Sequence, residues 1–467
     1  MNQMVARMWR NPSSVRTRLL RRRARGIALL WLAGTTALAA GGETSAPAAG
    51  GAWTLARAVE TALTNSPSAR IAEHRLRAAR AVVRQANSAL WPKLQVEASY
   101  QRTDNPMMVF GLILNQRAFS PALNFNDVPT VDNLNARATL TYPLYAGGAI
   151  TAQRRAAKAG SAAAEADARA IRNTLAFEVA RTFHNVLKTK AFIEAAEAAV
   201  RAFEANLKIA QQRREAGTLL KAEVLDVEVR LTQARENLVR AKNANALAKR
   251  ALLNLMGLEQ PDITLVPPAG APEPPPASTT PARRPELDAA ARRAEAAAAT
   301  VRAARSGWLP RLGLFGSLQT DHGFEMDGDG NSWSAGALAQ WDLWDGRLTH
   351  AKVQEAKANL DTAREYERQL RLAVNLEAEQ ARLNLHEARQ RLEVTARAVQ
   401  QAEESAKLTR ARFRQGLALA TQLIDAETAL TAARVRRAEA EADERIAVAA
   451  LRKALGLPQI ESQTNPQ

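Results

Sequence analysis

The chain has 467 residues, no cysteine, 5% aromatic residues and a formal net charge of +17. This length predicts one or two large domains, and the lack of cysteine excludes disulfides, thiolate metal sites, cysteine nucleophiles and a lipid-modified N-terminal cysteine. The basic excess could serve nucleic-acid binding, but basic and aromatic residues are not interleaved, so we expect no nucleic-acid partner.

Residues 1–39 have the pattern of a cleaved signal peptide. They carry eight arginines and no acidic residue, then an apolar run from Ile27 to Leu32 and small residues at Ala37 and Ala39. The alternative, a transmembrane anchor, needs a longer apolar run. No later run of about 18 apolar residues follows, so a membrane segment in the mature chain would have to be a β-barrel.

Residues 40–264 form the first half of the mature chain, which we expect to begin with a helix. Apolar and polar residues alternate at about 94–101 and again at 134–142, and this period of two predicts strands. Residues 102–132 between them are expected to be a loop that either folds back over the mouth of a barrel or extends the strands.

A long helical hairpin follows these strands. Between Ile150 and about Ala216 there is no proline and one internal glycine, Gly160, which predicts a helix roughly 100 Å long. A return helix is expected from about Leu220 to Met256. Apolar residues recur every seven positions, and one of the two seam positions is mostly small, as in closely packed coiled coils. The predicted tip consists of Gly217, Thr218, Leu219 and Leu220.

A proline-rich linker at 265–285 leads to the second half, residues 286–458, and a tail at 459–467. The second half is predicted to contain a helix, strands at about 312–319 and 333–343, and another long hairpin. Its tip consists of Gly416, Leu417, Ala418 and Leu419. Residues 327–331 resemble the start of a calcium loop but lack its final glutamate, so a polar turn between strands is expected.

From Tyr142 onward, the two halves repeat each other at an offset of 199 residues. Tyr142 to Gly148 resembles Trp341 to Arg347, and Gln212 to Gly217 resembles Ala411 to Gly416. For the motifs that precede the first strand of each half, the offset is 218. The connection between the two strands of a half therefore differs in length between the halves. The period is too long for a solenoid repeat, and a duplicated domain is the better description.

Four strands are too few to close a barrel alone, because about eight is the minimum observed. A channel would therefore need several chains: two would supply eight strands and three would supply twelve. Aromatic residues near the predicted strand ends would suit a membrane interface: Tyr100, Tyr142, Tyr145, Trp333, Trp341 and Trp344. The alternative is a soluble, half-buried hairpin in each half.

The duplicated order of helix, two strands, long helix, glycine-containing tip and return helix resembles the TolC-type outer membrane efflux protein family. The motifs that carry this resemblance span about residues 53–457. They are Leu90-Trp-Pro-Lys-Leu94 with Trp308-Leu-Pro-Arg-Leu312, Pro143-Leu-Tyr-Ala-Gly-Gly148, Ala411-Arg-Phe-Arg-Gln-Gly416 and Gln422-Leu-Ile-Asp425. The resemblance implies a mainly α-helical homotrimer whose twelve-stranded barrel sits in outer-membrane lipid and continues as a helical tunnel into the periplasm.

The resemblance also implies two functional regions. A periplasmic adaptor protein and an inner-membrane pump would dock at the two tips, although exposed leucines there could instead staple their own turns. Acidic residues past the second tip would narrow a closed entrance, at positions that here carry Gln422 and Asp425, with Glu223 and Asp226 in the first half. One acid of the family pattern is thus an amide, which puts a gate of two acidic rings in doubt.

The sequence predicts a passive export duct of a tripartite efflux or type I secretion system. None of the five histidines has zinc-ligand spacing, and no glycine-rich phosphate loop occurs, so we expect no enzyme activity and no cofactor. The second hypothesis is a coiled-coil protein that scaffolds the cell envelope without forming a channel. The cargo, whether drug, metal ion or polypeptide, does not follow from the sequence.

Overall fold

A computed structural model describes residues 52–124, 126–259, 262–270 and 284–460. The predicted signal peptide, most of the proline-rich linker and most of the tail lie outside these ranges. Within the described part of the chain, no helix is both long and apolar enough to cross a membrane.

Among the described residues, the first half has five α-helices and two strands, and the second half has three α-helices and two strands. Their bounds, in chain order, are α1 Leu55–Asn65, α2 Pro67–Ser88, β1 Lys93–Thr103, α3 Pro106–Asn115, β2 Val131–Ala146, α4 Ala149–Glu215, α5 Lys221–Met256, α6 Pro285–Arg305, β3 Arg311–Gly323, β4 Gly328–Gln340, α7 Leu348–Arg414 and α8 Ala420–Ala454. The predicted fold class, a mainly α-helical chain with a duplicated order of elements, is confirmed.

The four strands form one antiparallel sheet in the order β1-β2-β3-β4, so β1 and β4 are its edges. The strands join the helices at one end, since β1 follows α2 and β2 leads into α4. The connections from β1 to β2 and from β3 to β4 lie at the opposite end. We call this opposite end the distal end of the sheet.

Helix α4 is the central element of the helical region. It packs against α1, α2, α5, α6 and α8, whereas α7 packs against α6 and α8. The main core surrounds Phe183 on α4, where Trp53, Leu252 and Met256 are buried with it. A second core fills the space between the two hairpin tips and includes Phe203, Val227 and Phe413.

Three local expectations need correction. Residues 106–115 form a helix, α3, because Asn105 Oδ1 accepts hydrogen bonds from two amides of its first turn and Val109 and Ile113 are fully buried. Pro285 is the first residue of α6 and not part of the linker, because proline suits the first turn of a helix, where its missing N–H is not needed.

The third correction concerns the turn predicted at residues 327–331. The turn between β3 and β4 is instead Phe324 to Asp327, and the following residues already pair with β3, including Asp329 with His322. At the other end of this hairpin, β4 ends at Gln340, so residues 341–343 of the predicted strand lie outside it.

Candidate functional site

The register of the sheet aligns apolar residues on one face and polar residues on the other. Two apolar rows cross all four strands, namely Leu94–Leu140–Gly316–Ala335 and Val96–Ala138–Leu318–Trp333. The alternate positions form polar rows, namely Gln95–Thr139–Ser317–Ser334 and Glu97–Arg137–Gln319–Ser332. The apolar face is open in the single chain, where Val96 is 72% and Trp333 is 76% exposed. Such a patch marks an interface with a membrane or another protein.

The aromatic residues that the sequence suggested for a membrane interface lie at different heights on the sheet. Tyr100 lies three residues from the distal end of β1, and Tyr142 and Tyr145 lie near the helical end of β2. Trp341 and Trp344 follow β4 at this same end. Trp333, however, lies five residues inside β4, so it does not mark a strand end.

The two hairpin tips have the same turn. Gly217 and Gly416 adopt positive φ angles of 71° and 80°, a backbone conformation that glycine tolerates well. The following amides return to the preceding helix, since Thr218 N donates to Arg213 O at 2.8 Å and Leu417 N donates to Arg412 O at 2.8 Å. These bonds satisfy carbonyls that the helix ends would otherwise leave unpaired.

The tip residues include a partly buried pair and an exposed set. Leu219 and its counterpart Ala418 pack against the core between the tips. Leu220, Leu417 and Leu419 are instead 71%, 72% and 60% exposed. Leu219 and Ala418 therefore stabilise their own turns, whereas the exposed leucines form an apolar surface at the ends of the two hairpins.

Arg213 ties the two tips together, a role that the sequence did not suggest. Its guanidinium donates to Phe413 O and to Thr218 O, both at 3.0 Å. Its Cζ also lies 4.9 Å from the centre of the Phe413 ring, within the range of a cation–π contact. One side chain of α4 thus holds both its own turn and the end of α7.

The four predicted gate residues divide by what they contact. Glu223 Oε2 accepts a hydrogen bond from Leu220 N, and Gln422 Oε1 accepts one from Leu419 N, each at 3.2 Å. Both side chains therefore cap the return helix on which they lie. Asp226 and Asp425 are exposed on α5 and α8, on the side away from the core between the tips.

An ion pair with a buried carboxylate lies two residues beyond Asp425, on the opposite side of α8. Glu427 is 2% exposed, and both its oxygens accept hydrogen bonds from Arg410, with Oε2 at 2.8 Å from Nη2. Asn206 of α4 also donates to Glu427 Oε1 at 3.1 Å. Arg410 of α7 thus pairs with Glu427 of α8. A sequence signal existed, since Glu427 interrupts the apolar positions Leu423 and Leu430 at helical spacing.

The hydrogen bond and the charge of Glu427 raise the pKa of Arg410 above its usual value, although burial opposes this shift. A buried cation, Arg284 at the start of α6, pairs with Glu286 and with Glu377 of α7. Burial acts to raise the pKa of Glu377, but the hydrogen bond and charge of Arg284 outweigh it and lower this pKa. The Arg410–Glu427 pair thus joins α7 to α8, and the Arg284–Glu377 pair joins the start of α6 to α7.

No group of three or more His, Asp or Glu side chains among the described residues is placed to hold a metal ion. His184, the most buried histidine in that part of the chain, lies between α4 and α8, and its Nδ1 has no hydrogen-bond partner. Burial, with a contribution from Arg445, lowers its pKa from 6.5 to about 4. This residue is therefore a neutral part of the core at neutral pH.

Solved structures similar to this chain are outer-membrane proteins. VceC from Vibrio cholerae is 22% identical, with a TM-score of 0.72 over 87% of this chain and 97% of that one. The CmeC channel of Campylobacter jejuni is 19% identical, with a TM-score of 0.76 over 87% of each chain. The MtrE channel of Neisseria gonorrhoeae, solved in an open state, is 19% identical, with a TM-score of 0.72 over 88% and 91%. These likenesses show a shared fold.

No curated protein matches the chain. The family model of the outer membrane efflux proteins matches it twice, at residues 58–258 and 277–457. The two matches correspond to the two halves of the internal repeat and together cover most of the chain. The chain therefore belongs to the outer membrane efflux protein family, as the order of its sequence motifs predicted.

Proposed function

We propose that the protein is the outer-membrane duct of a tripartite efflux or type I secretion system. The observation that carries this proposal is the apolar face that continues across all four strands while the other face is polar. A sheet with lipid on one side and water on the other needs this division. The alternative is a scaffold protein that forms no channel. That function does not explain why one face of the sheet is apolar and exposed.

The assembly that suits this sheet is a trimer. Both edges, β1 and β4, have unpaired backbone groups, which cannot remain so in lipid. Pairing β4 of one protomer with β1 of the next closes a barrel, and three chains give twelve strands with an open interior. Helix α7 follows β4 directly in the chain, so the same pair of protomers would also meet along the helical tunnel. Light scattering in detergent should give a trimer, and a monodisperse monomer would refute the assembly.

The channel itself is tested by conductance across a planar bilayer, which a scaffold would not show. Leu318 and Gln319 are neighbours on β3 that face opposite sides of the sheet. Leu318→Arg should impair membrane insertion, because an arginine on the lipid face costs about 2–4 kcal/mol near the bilayer centre. Gln319→Arg should insert normally and alter only ion selectivity. Equal insertion of both variants would contradict the assignment of the two faces.

We further propose that the exposed tip leucines dock a periplasmic adaptor that links the duct to an inner-membrane pump. Leu220 and Leu419 occupy corresponding places on the two hairpins and contribute little to the core of this chain. Replacing both with Asp should abolish export while the trimer and its insertion remain intact. The matched variant with Met at both positions keeps an apolar surface and should export normally. Leu219 is unsuitable for this test, because it is packed against the core between the tips.

The closed entrance is the last part of the proposal. Asp425 lies on the side of α8 away from the buried residues Leu423 and Glu427, and a trimer would carry three copies. Three carboxylates around a narrow axis would attract cations. Asp425→Ala should weaken cation selectivity and reduce block by divalent cations in bilayer recordings. Asp226→Ala, the corresponding change on α5, is the control. If Asp425→Ala changes neither property, the constriction lies elsewhere and Gln422 is the next residue to test.

A further inference from the structure

The segment from α3 to Ala118 lies across the polar face of the sheet at its distal end. Three glycines of β3 and β4 make room for it, and all three lie at polar-face positions. A Cβ atom at Gly330 would lie 1.6 Å from Asn115 O, and one at Gly328 would lie 2.7 Å from Gln116 O. At Gly323 an added Cβ would lie 2.1 Å from Gln116 Oε1. The segment therefore covers the polar face and not the apolar one.

Side chains fix the segment in this place. Gln116 is fully buried, and its Nε2 donates to Asp132 O at 2.6 Å and to Asn133 Oδ1 at 3.0 Å. Arg117 donates to Asn331 O at 3.2 Å across the sheet. Val109 and Ile113 of α3 pack on Val131, and all three are fully buried. The segment is thus a packed part of the fold.

We propose that this segment is an inward-folded collar that narrows the outer mouth of the channel. The inference rests on the proposed function, because it takes the polar face as the wall of a water-filled lumen. A helix with its side chains is about 10–12 Å across, so three collars on one inner wall would occupy a large part of the opening. The collar would limit the size of solutes that pass the mouth, since pore diameter governs passage.

The short turn between β3 and β4 can replace the collar in a designed variant. Gly323 pairs with Gly328 across a four-residue turn, and Thr103 pairs with Val131 across residues 104–130. Replacing residues 104–130 with the turn Phe324-Glu-Met-Asp327 should keep the register of β1 and β2. A smaller change is Gly330→Ala, which places a methyl group where Asn115 O lies. Its control is Gly313→Ala, another polar-face strand position, where the nearest heavy atom would be 3.7 Å away.

The readout is thiol labelling inside the sheet, which does not depend on the periplasmic entrance. The chain has no cysteine, so Ser334→Cys gives a single thiol on the polar face, nearer the helices than the collar. Cells carrying this variant are treated from outside with a small maleimide or with a bulky polyethylene glycol maleimide. With the collar present, the small reagent should label and the bulky one should not. With the turn replacement or Gly330→Ala, bulky labelling should become at least about tenfold faster, and Gly313→Ala should leave it slow.

Two results would overturn the inference, and they are distinguishable. Equal bulky labelling with and without the collar would show that the mouth is already wide, and the proposed channel would stand. No labelling by the small reagent, even after the turn replacement, would show that the polar face does not line a lumen. The second result would overturn the collar and the proposed function together.

Discussion

Helices α4 and α7 hold corresponding places in the two halves, and each is 67 residues long, yet they are buried to different extents. Eighteen residues of α4 are buried but only ten of α7. The reason is position, since α4 packs against five helices and α7 against two. Two related helices thus became a central element and an edge element. An edge is useful in a ring of identical chains, where the next protomer can cover it.

The contrast is clearest at single positions of the repeat. Phe183 and His184 of α4 are buried, whereas their counterparts Arg382 and Leu383 on α7 are exposed. Leu383 is 61% exposed, although it is the more apolar member of its pair. Burial in the single chain therefore follows the place of the helix in the bundle. An exposed leucine on an edge helix is consistent with a neighbouring protomer.

The largest effect should come from the centre of α4. Phe183→Ala should lower the free energy of unfolding by about 3–5 kcal/mol, because it leaves a cavity in a fully buried cluster. The control Arg382→Ala changes the same repeat position on α7 and should cost less than about 0.5 kcal/mol. Denaturant unfolding of the detergent-solubilised protein measures both. Similar losses in the two variants would contradict the contrast between the helices.

The second largest effect concerns the ion pair between the tips. Glu427→Ala leaves Arg410 and Asn206 without their shared acceptor and should cost about 2–3 kcal/mol. The corresponding residue of the first half is Glu228, which is half-buried. The control Glu228→Ala should lower the free energy of unfolding by less than about 0.5 kcal/mol. Hydrogen exchange of the α5 and α8 amides would show whether only the second tip opens more often.

A pH-dependent effect follows from His184. Its folded pKa, about 4, is below its usual 6.5, so the folded state binds its proton less readily than the unfolded state. Stability is therefore greatest above pH 6.5 and is lost as the pH falls toward 4. The loss from this residue should be about 2 kcal/mol between about pH 7 and pH 5.

The variant His184→Leu, which copies the residue type of Leu383, should remove that part of the acid sensitivity. His386→Leu is the control, because His386 is exposed on α7. Thermal unfolding at a series of pH values measures the difference. An unchanged slope in His184→Leu would show that other groups account for the acid sensitivity.

The smallest effect separates capping from gating at the return helices. Glu223→Ala and Gln422→Ala each remove a hydrogen bond from the backbone amide of the N-cap residue, Leu220 or Leu419, and should cost about 0.5–1 kcal/mol. The loss should be greater for Glu223, because a negative charge is favoured at a helix N-terminus. Exchange of the first-turn amides of α5 and α8 gives both values. A change in channel block without faster exchange would assign Gln422 to the gate instead.

Much of the architecture follows from local patterns. Alternation over two residues predicted all four strands, although each extends beyond its predicted bounds because pairing continues to the distal end of the sheet. Helix α3 was missed because its ten residues include a glycine and lack polar residues at helical spacing. Its helical form depends on a cap by Asn105 and on burial against Val131.

The sequence by itself determined the duplicated order of elements, the long hairpins, the glycine turns at both tips and the family of the protein. Each of these depends on residues close together in the chain, so periodicity and turn chemistry are sufficient to find them. Only the tertiary structure decided which tip leucines are exposed, that Arg410 pairs with Glu427, and that the segment after α3 covers the polar face. These features join residues far apart in sequence, and the packing of α4 among its neighbours sets which side chains meet.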